Sequence, residues 1–340
     1  MNNSYLIIYS CCILVQGAKK SIIIDLQRNS IYRFESSWVK YLKMLKNTCY
    51  SQILYSTNDP EEKENIECLK SFLLENELGF FTDTPESFPD IQFNISENHQ
   101  NIENAIIDIN NDFTYVTATL FKLNAIKCKY LQIRIFANCN FDNIQKLLKE
   151  IENYEFLYTE LIIQYSEDLS IKDFSSFFQI SRSLQIIYVY NSPMCRKIEI
   201  GSKETKLKTV YFTTQEILNV CDCGKISKKT FTIPNLSLLN QRVKYNSCLY
   251  KKIAIDSNGV VKKCPSLDKC FGKITDCDLA DILKNNQFKK LETISKDKIE
   301  VCKDCEYRYL CTDCRAYTVS DIYSKPLKCK YNPYLAIWEE

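Results

Sequence analysis

CKDCEYRYLCTDCRAYTVSDIYSKPLKC, residues 302–329, sets five thiols in a C-x-x-C-x5-C-x-x-C knuckle followed by a lone cysteine. Upstream, SCLYKKIAIDSNGVVKKCPS (247–266) adds Cys248 and Cys264, with ten residues between Cys248 and Gly259 and four between Gly259 and Cys264. Seven cysteines at these spacings, Cys248, Cys264, Cys302, Cys305, Cys311, Cys314 and Cys329, bring soft sulfur ligands to one or two centres. Such sets select zinc or iron–sulfur clusters, and a list of cysteines does not distinguish the two. Ile253 and Ile255 alternate toward an Asn258-Gly259 turn, and Val260 and Val261 return, which predicts a β-hairpin. The hairpin carries Cys248 and Cys264 to the same end, so two distant ligands can share one metal. Leu279–Leu291 reads as a connecting helix.

Working outward, composition favours metal over disulfides. The chain has 340 residues and 18 cysteines, room for two or three domains. Lys and Arg (44) nearly match Asp and Glu (42), and a net charge of +2 argues against bulk nucleic-acid binding. No stretch is apolar enough to span a membrane. MNNSYLIIYSCCILV lacks the basic region and cleavage site of a signal peptide. The default is a cytoplasmic protein, where thiols stay reduced and serve metals. The single histidine, His99, sits in polar SENHQN and reads as a solvated loop residue. Six glycines stand where average usage of about 7% would place roughly 24. Neither G-x-G-x-x-G nor G-x-x-x-x-G-K-[ST] occurs, so a phosphate-cradling loop is excluded.

Residues 1–85 read as a compact module. Cys12–Val15 is a first strand, with Cys11 and Cys12 taken as small buried hydrophobes. Ile22–Leu26 and Ile31–Phe34 form a hairpin around Gln27–Ser30. A helix runs through Trp38–Leu45 and another from Pro60 to Glu77, stopped by Gly79, with FFTDTPESFP as linker. KKSIIIDLQRNSIYRF (19–34) and LENELGFF (74–81) resemble the PqqD-like winged-helix element that captures leader peptides of ribosomally made natural products. The resemblance implies a leader added as a β-strand along Ser30, Ile31, Tyr32, Arg33 and Phe34, facing a helix with Ile66, Lys70 and Leu73.

Residues 90–220 alternate strand and helix. Strands fall at 105–109, 131–137, 161–165, 184–190 and 210–213, with helices near 115–125, 144–152 and 174–180. That order implies an α/β fold with a parallel sheet, most simply a partial barrel, with ligands at the C-terminal strand ends. A partial barrel followed by a cysteine cluster resembles radical SAM enzymes with a C-terminal SPASM domain. Those enzymes carry C-x-x-x-C-x-x-C after the first barrel strand, yet NNDFTYVTATLFKLN (110–124) has no cysteine. Cys128 and Cys139 lie eleven apart, and FANCNFD (136–142) lacks the family's glycine-rich segment. The barrel is therefore read as degenerate, with no SAM-binding residues and no SAM cleavage.

The cysteine pattern of 221–340 resembles the SPASM domain, which holds two auxiliary 4Fe–4S clusters. Carried over by position, Cys302, Cys305, Cys311 and Cys329 would hold one, and Cys248, Cys264 and Cys314 the other. Cys223 is the candidate for its fourth ligand, ahead of Cys221, Cys270 and Cys277. The family separates the last two knuckle cysteines by three residues and this chain by two, which leaves the division between clusters open. The alternative filling is zinc. GAKKSIIIDLQRNS, the barrel without its motif, and the ending CKDCEYRYLCTDCRAYTVSDIYSKPLKCKYNPY together resemble the SPASM-domain peptide maturase of grasp-with-spasm systems. The family implies a ribosomal precursor peptide and an ATP-grasp ligase as partners, without supplying a reaction for this chain. A cluster-dependent redox enzyme and a zinc-binding scaffold are the other readings; no nucleic-acid or membrane partner is expected.

Overall fold

In the computed structural model, residues 4–92, 102–137, 140–201, 207–217 and 222–339 are described. His99, Cys139 and Cys221 lie outside them. The chain is mixed α/β and divides into two units. The first joins residues 1–96 to Lys225–Ser247 and Ile294–Glu340; the second joins Glu97–Gly224 to Cys248–Thr293. The segment 221–340 is thus shared between the two, a division at odds with the expected boundaries of 1–85, 90–220 and 221–340.

The first unit begins with strands β1 (Tyr5–Ile8), β2 (Cys12–Val15), β3 (Lys20–Asp25) and β4 (Ser30–Glu35), then helices α1 (Val39–Leu45), α2 (Tyr50–Ser56) and α3 (Pro60–Glu75), and strand β5 (Gly79–Thr82). β2, β3 and β4 form an antiparallel sheet, and β1 pairs with β5 alone. Gly79 opens β5 rather than a linker, because Glu77, at φ +52, turns the chain back after α3. A Cβ at Gly79 would meet the Ile7 carbonyl oxygen at 2.5 Å, so the pairing needs glycine there. Ile22, Ile23 and Ile24 are all fully buried because both faces of β3 are covered. Ile23 and Phe34 pack with Leu42, Leu45, Ile66, Leu69 and Leu73 from the helices. Val15, Ile22 and Ile24 pack on Tyr307 and Leu310 of the cysteine knuckle and on Tyr331 beyond it. The knuckle is therefore part of the N-terminal unit's core. Backbone bonds from Ala18 N to Asp304 O and from Lys19 N to Pro333 O secure the same junction.

The second unit is built on one sheet. Its elements are β6 (Asn104–Ile109), α4 (Val116–Ala125), β7 (Tyr130–Ile135), α5 (Phe141–Glu152), β8 (Tyr158–Gln164), α6 (Ile171–Ile180), β9 (Leu184–Tyr190), β10 (Arg196–Ile200), β11 (Lys208–Phe212), β12 (Lys252–Ile255), β13 (Val260–Lys262) and β14 (Cys270–Lys273). The order across it is β10-β11-β9-β8-β7-β6-β12-β13-β14, parallel from β11 to β12. Ile255, Ile107, Ile133, Leu161, Ile187 and Val210 stand in register across six strands, all fully buried. They pack in one core with Leu120, Leu148 and Phe177 of the three helices. The 253–261 hairpin forms as its spacing predicts, yet β12 also pairs with β6, so it extends the sheet instead of standing apart. Gly259 takes φ +72 with Tyr115 Cγ 3.1 Å from where a Cβ would sit. The expected 279–291 helix is broken into Leu279–Lys284 and Asn286–Lys289, because Asn285 turns out of helical conformation to cap the second piece. Among the described residues, no helix is long and apolar enough to cross a membrane.

Candidate metal centre

The knuckle begins at a strained residue. Val301, β-branched, holds φ +65 immediately before Cys302, a conformation costing on the order of 1–3 kcal/mol that persists only where surroundings impose it. Cys302 N donates to Glu300 O and Lys303 N to Ile299 O, closing a tight turn that carries Cys302 inward. Cys305 N then donates to Cys302 O at 3.0 Å, closing the C-x-x-C turn. Cys311 N bonds to Tyr307 O, and Cys329 is placed by a bridge to Ile226.

Cys302 and Cys311 are buried, and Cys305, Cys314 and Cys329 half-buried. Burial and neighbouring anionic sulfur push the Cys305 and Cys311 thiols up, and burial takes Cys302 to about 11. Against this stands one buried cation. Lys296 Nζ lies 3.9 Å from Cys302 Sγ and 3.5 Å from Asp313 Oδ1, with the residue only 3% exposed. Burial opposes its charge, but Cys311, Asp313 and Cys302 outweigh it and hold Lys296 protonated. Asp313, fully buried, also accepts from Arg315 Nη2 at 2.7 Å and from Asn246 Nδ2, while its own N–H donates to Ser247 Oγ. Arg315 Nη1 in turn donates to the carbonyls of Ile322 and Ser324. The network anchors the loop after Cys314 and fixes Lys296 over the sulfurs.

The second unit contains Cys223, Cys248 and Cys264. Arg134, fifth of the six residues of β7, makes a bidentate ion pair with Asp108 at 2.6 and 2.7 Å. Burial would lower its pKa, yet Asp108, Cys223 and Cys264 keep it charged. Both thiols therefore lie within electrostatic reach of one guanidinium toward the C-terminal ends of the parallel strands. Lys252 Nζ stands 3.7 Å from Cys248 Sγ. Cys270 is exposed and bonds to the Asp268 carbonyl, and Cys277 is half-buried. Cys314 falls in the first unit, after Asp313.

Thiolate donors of this kind fit zinc and iron–sulfur clusters alike. The cationic groups nearby, Lys296 and Arg134, supply the positive charge that an anionic thiolate-bound cluster requires once buried.

The proposed leader-binding residues scatter. Ile66 and Leu73 are fully buried and build the core, a correction imposed by α1 packing over that face. Arg33 turns away to Glu306 Oε1 (3.0 Å) and Tyr331, holding the knuckle to the sheet. Phe34 is buried, Ser30 bonds to Arg28 O, and Lys70 pairs with Glu67. Ile31 is exposed on β4, which has no strand partner on its outer side among the described residues. Trp38 and Phe72, both placed on apolar helix faces by their spacing, are half-buried and in contact 6.1 Å apart beside Phe34. Lys296, Asp313, Asn246 and Arg134 form no spacing pattern with the cysteines, so their contacts are set by packing.

Residues 247–306 match the SPASM family, described as an iron–sulfur cluster-binding domain. The match takes in Cys248, Cys264, Cys302 and Cys305 and supports iron–sulfur binding by this part of the chain. Among solved structures, the chain is similar to Streptococcus suis SuiB, in a crystal structure bound to precursor peptide SuiA. The identity is 10%, over 94% of this chain and 98% of that one, with a TM-score of 0.30. No curated relative matches.

Proposed function

We propose that the chain is a maturation protein for a ribosomally synthesised peptide, holding the precursor through its N-terminal module and carrying two 4Fe–4S clusters. Cys302, Cys305, Cys311 and Cys329 form one ligand set; Cys248, Cys264 and Cys223 belong to the other, with Cys314 the ligand still to be allotted. The observation that carries the reading is the buried, lysine-compensated thiol group at the end of a segment matching an iron–sulfur domain. A cluster bound there supplies one-electron transfer or a structural crosslink. An ATP-grasp ligase is the proposed partner for bond formation. The exposed β4 edge beside Trp38 and Phe72 is the proposed leader site, with Ile31 and Tyr32 at its centre and main-chain pairing as the source of affinity.

The loop between β6 and α4 contains no cysteine, which supports a chain that does not cleave S-adenosylmethionine. The test is direct. Anaerobically purified protein is brown with about eight irons per chain, and after dithionite reduction releases no 5′-deoxyadenosine from S-adenosylmethionine. A colourless protein with about two zincs refutes the cluster assignment, and deoxyadenosine release refutes the degenerate barrel.

A further inference from the structure

A second set of sulfur ligands lies far from the knuckle in sequence. Cys11 occupies the turn between β1 and β2, and Cys12 opens β2. Cys12 pairs directly with Asp25 across the β2–β3 ladder, so their side chains share one face of the sheet. Leu26 N donates to Cys11 O and Cys12 N to Tyr9 O, and this turn folds the Cys11 side chain back over the same point. The ligand atoms of Cys11, Cys12 and Asp25 all lie within 4.8 Å of one another. That is the spacing of a single ion: ligands about 2.3 Å from a tetrahedral zinc stand roughly 3.8 Å apart. Gln27 Oε1, which accepts from Cys11 Sγ at 3.8 Å, stands nearby as a further oxygen donor.

Charge decides which ion fits. Asp25 is fully buried, and its carboxylate is already oriented by hydrogen bonds: Oδ1 accepts from Gln27 N and Arg28 N, and Oδ2 from Arg28 Nη1. Arg28 is held in turn by Glu77, through the carboxylate and the carbonyl. With both thiols protonated, buried Asp25 is balanced by Arg28, whose other partner, Glu77, is exposed to solvent. A divalent cation that displaces the two thiol protons, leaving two metal–thiolate bonds and two released protons, returns the buried site to the same neutrality. A monovalent ion leaves it net negative, and hard cations such as magnesium avoid sulfur.

We infer that Cys11, Cys12 and Asp25 form a mononuclear binding site for a thiophilic divalent cation of the zinc class, separate from the knuckle. The site joins the β1–β2 turn to the β2–β3 hairpin at the edge of the core that carries α1 and α3.

Differential alkylation of the full-length, cluster-loaded protein under reducing conditions tests it, since the peptide carrying Cys11 and Cys12 is read separately from the knuckle. Zinc well above its Kd slows labelling of this peptide by about tenfold or more, because only the unoccupied fraction reacts. Magnesium leaves the rate unchanged, and a chelator restores it. In Cys11→Ser the protection of Cys12 is lost; in Asp25→Asn, which keeps the Oδ1 acceptor and removes the charge, the protection of Cys11 is lost. Unchanged labelling with zinc in the wild type, or protection that survives in Cys11→Ser, overturns the assignment. Cys11 is half-exposed in a turn, so that variant folds and reports even where Asp25→Asn does not.

Discussion

Arg134→Met isolates the electrostatics of the second unit. The Arg134 and Asp108 side chains are 11% and 1% exposed and joined by two charged hydrogen bonds. Removing the guanidinium strands a buried carboxylate on the sheet face where Asp256 and Lys262 are its remaining charged neighbours, a change that costs about 3–5 kcal/mol for a buried pair. Amide exchange of β6 and β7 then accelerates by about 10²–10⁴-fold wherever the sheet opens to exchange. The pH dependence has a definite sign. Burial already raises Asp108 above an ordinary carboxyl, against the lowering effect of Arg134. A carboxyl whose folded pKa is raised binds its proton more tightly when native, so stability falls as pH rises through that pKa. Loss of Arg134 pushes the pKa further up and widens the window. The deficit of Arg134→Met is therefore largest near about pH 8 and shrinks by about pH 5. Asp108→Leu combined with Arg134→Met recovers most of the loss, because no buried charge remains. Exchange rates equal to wild type, a deficit unchanged between the two pH values, or a double variant as weak as the single one would each refute this account.

Three further outcomes follow from named positions. Gly259→Ala destabilises the hairpin by about 1–2 kcal/mol from its left-handed backbone alone, with Tyr115 crowding added, and thermal melting detects the shift. Cys305→Ser lowers iron content by about four of roughly eight atoms, while Cys270→Ser, at an exposed thiol, keeps the full complement; equal loss in both contradicts the ligand assignment. Ile31→Asp weakens precursor binding about fivefold or more by calorimetry, and an unaltered Kd removes β4 from the proposed leader site.

Much of the local structure is legible in residue order. The alternation 253–261 with Asn258-Gly259 specifies a hairpin, and the apolar spacing of 144–152 specifies a helix, because both depend on near neighbours and a single buried face. Short apolar runs were harder. Tyr5–Ile8 and Gly79–Thr82 make sense as strands only together, since each is the other's partner. Ile66 and Leu73 illustrate a related limit of residue order: helical spacing identifies the apolar face of α3, and both residues on that face are consumed by the core.

The cysteines themselves show how far each level reaches. Spacing alone pointed seven thiols at metal, because C-x-x-C turns and a hairpin are local devices that converge sulfur ligands. It carried no record of Lys296 beside Cys302, of Arg134 near Cys223 and Cys264, or of Cys12 facing Asp25, because each of these is a contact between residues brought together only by packing. Nor does residue order show that Ile22 and Ile24 bury their side chains against Tyr307 and Leu310, nearly three hundred residues away but part of the same core. Ligand identity is a property of covalent sequence. The charges and apolar surfaces that surround those ligands are set by burial, which exists only once the chain has folded.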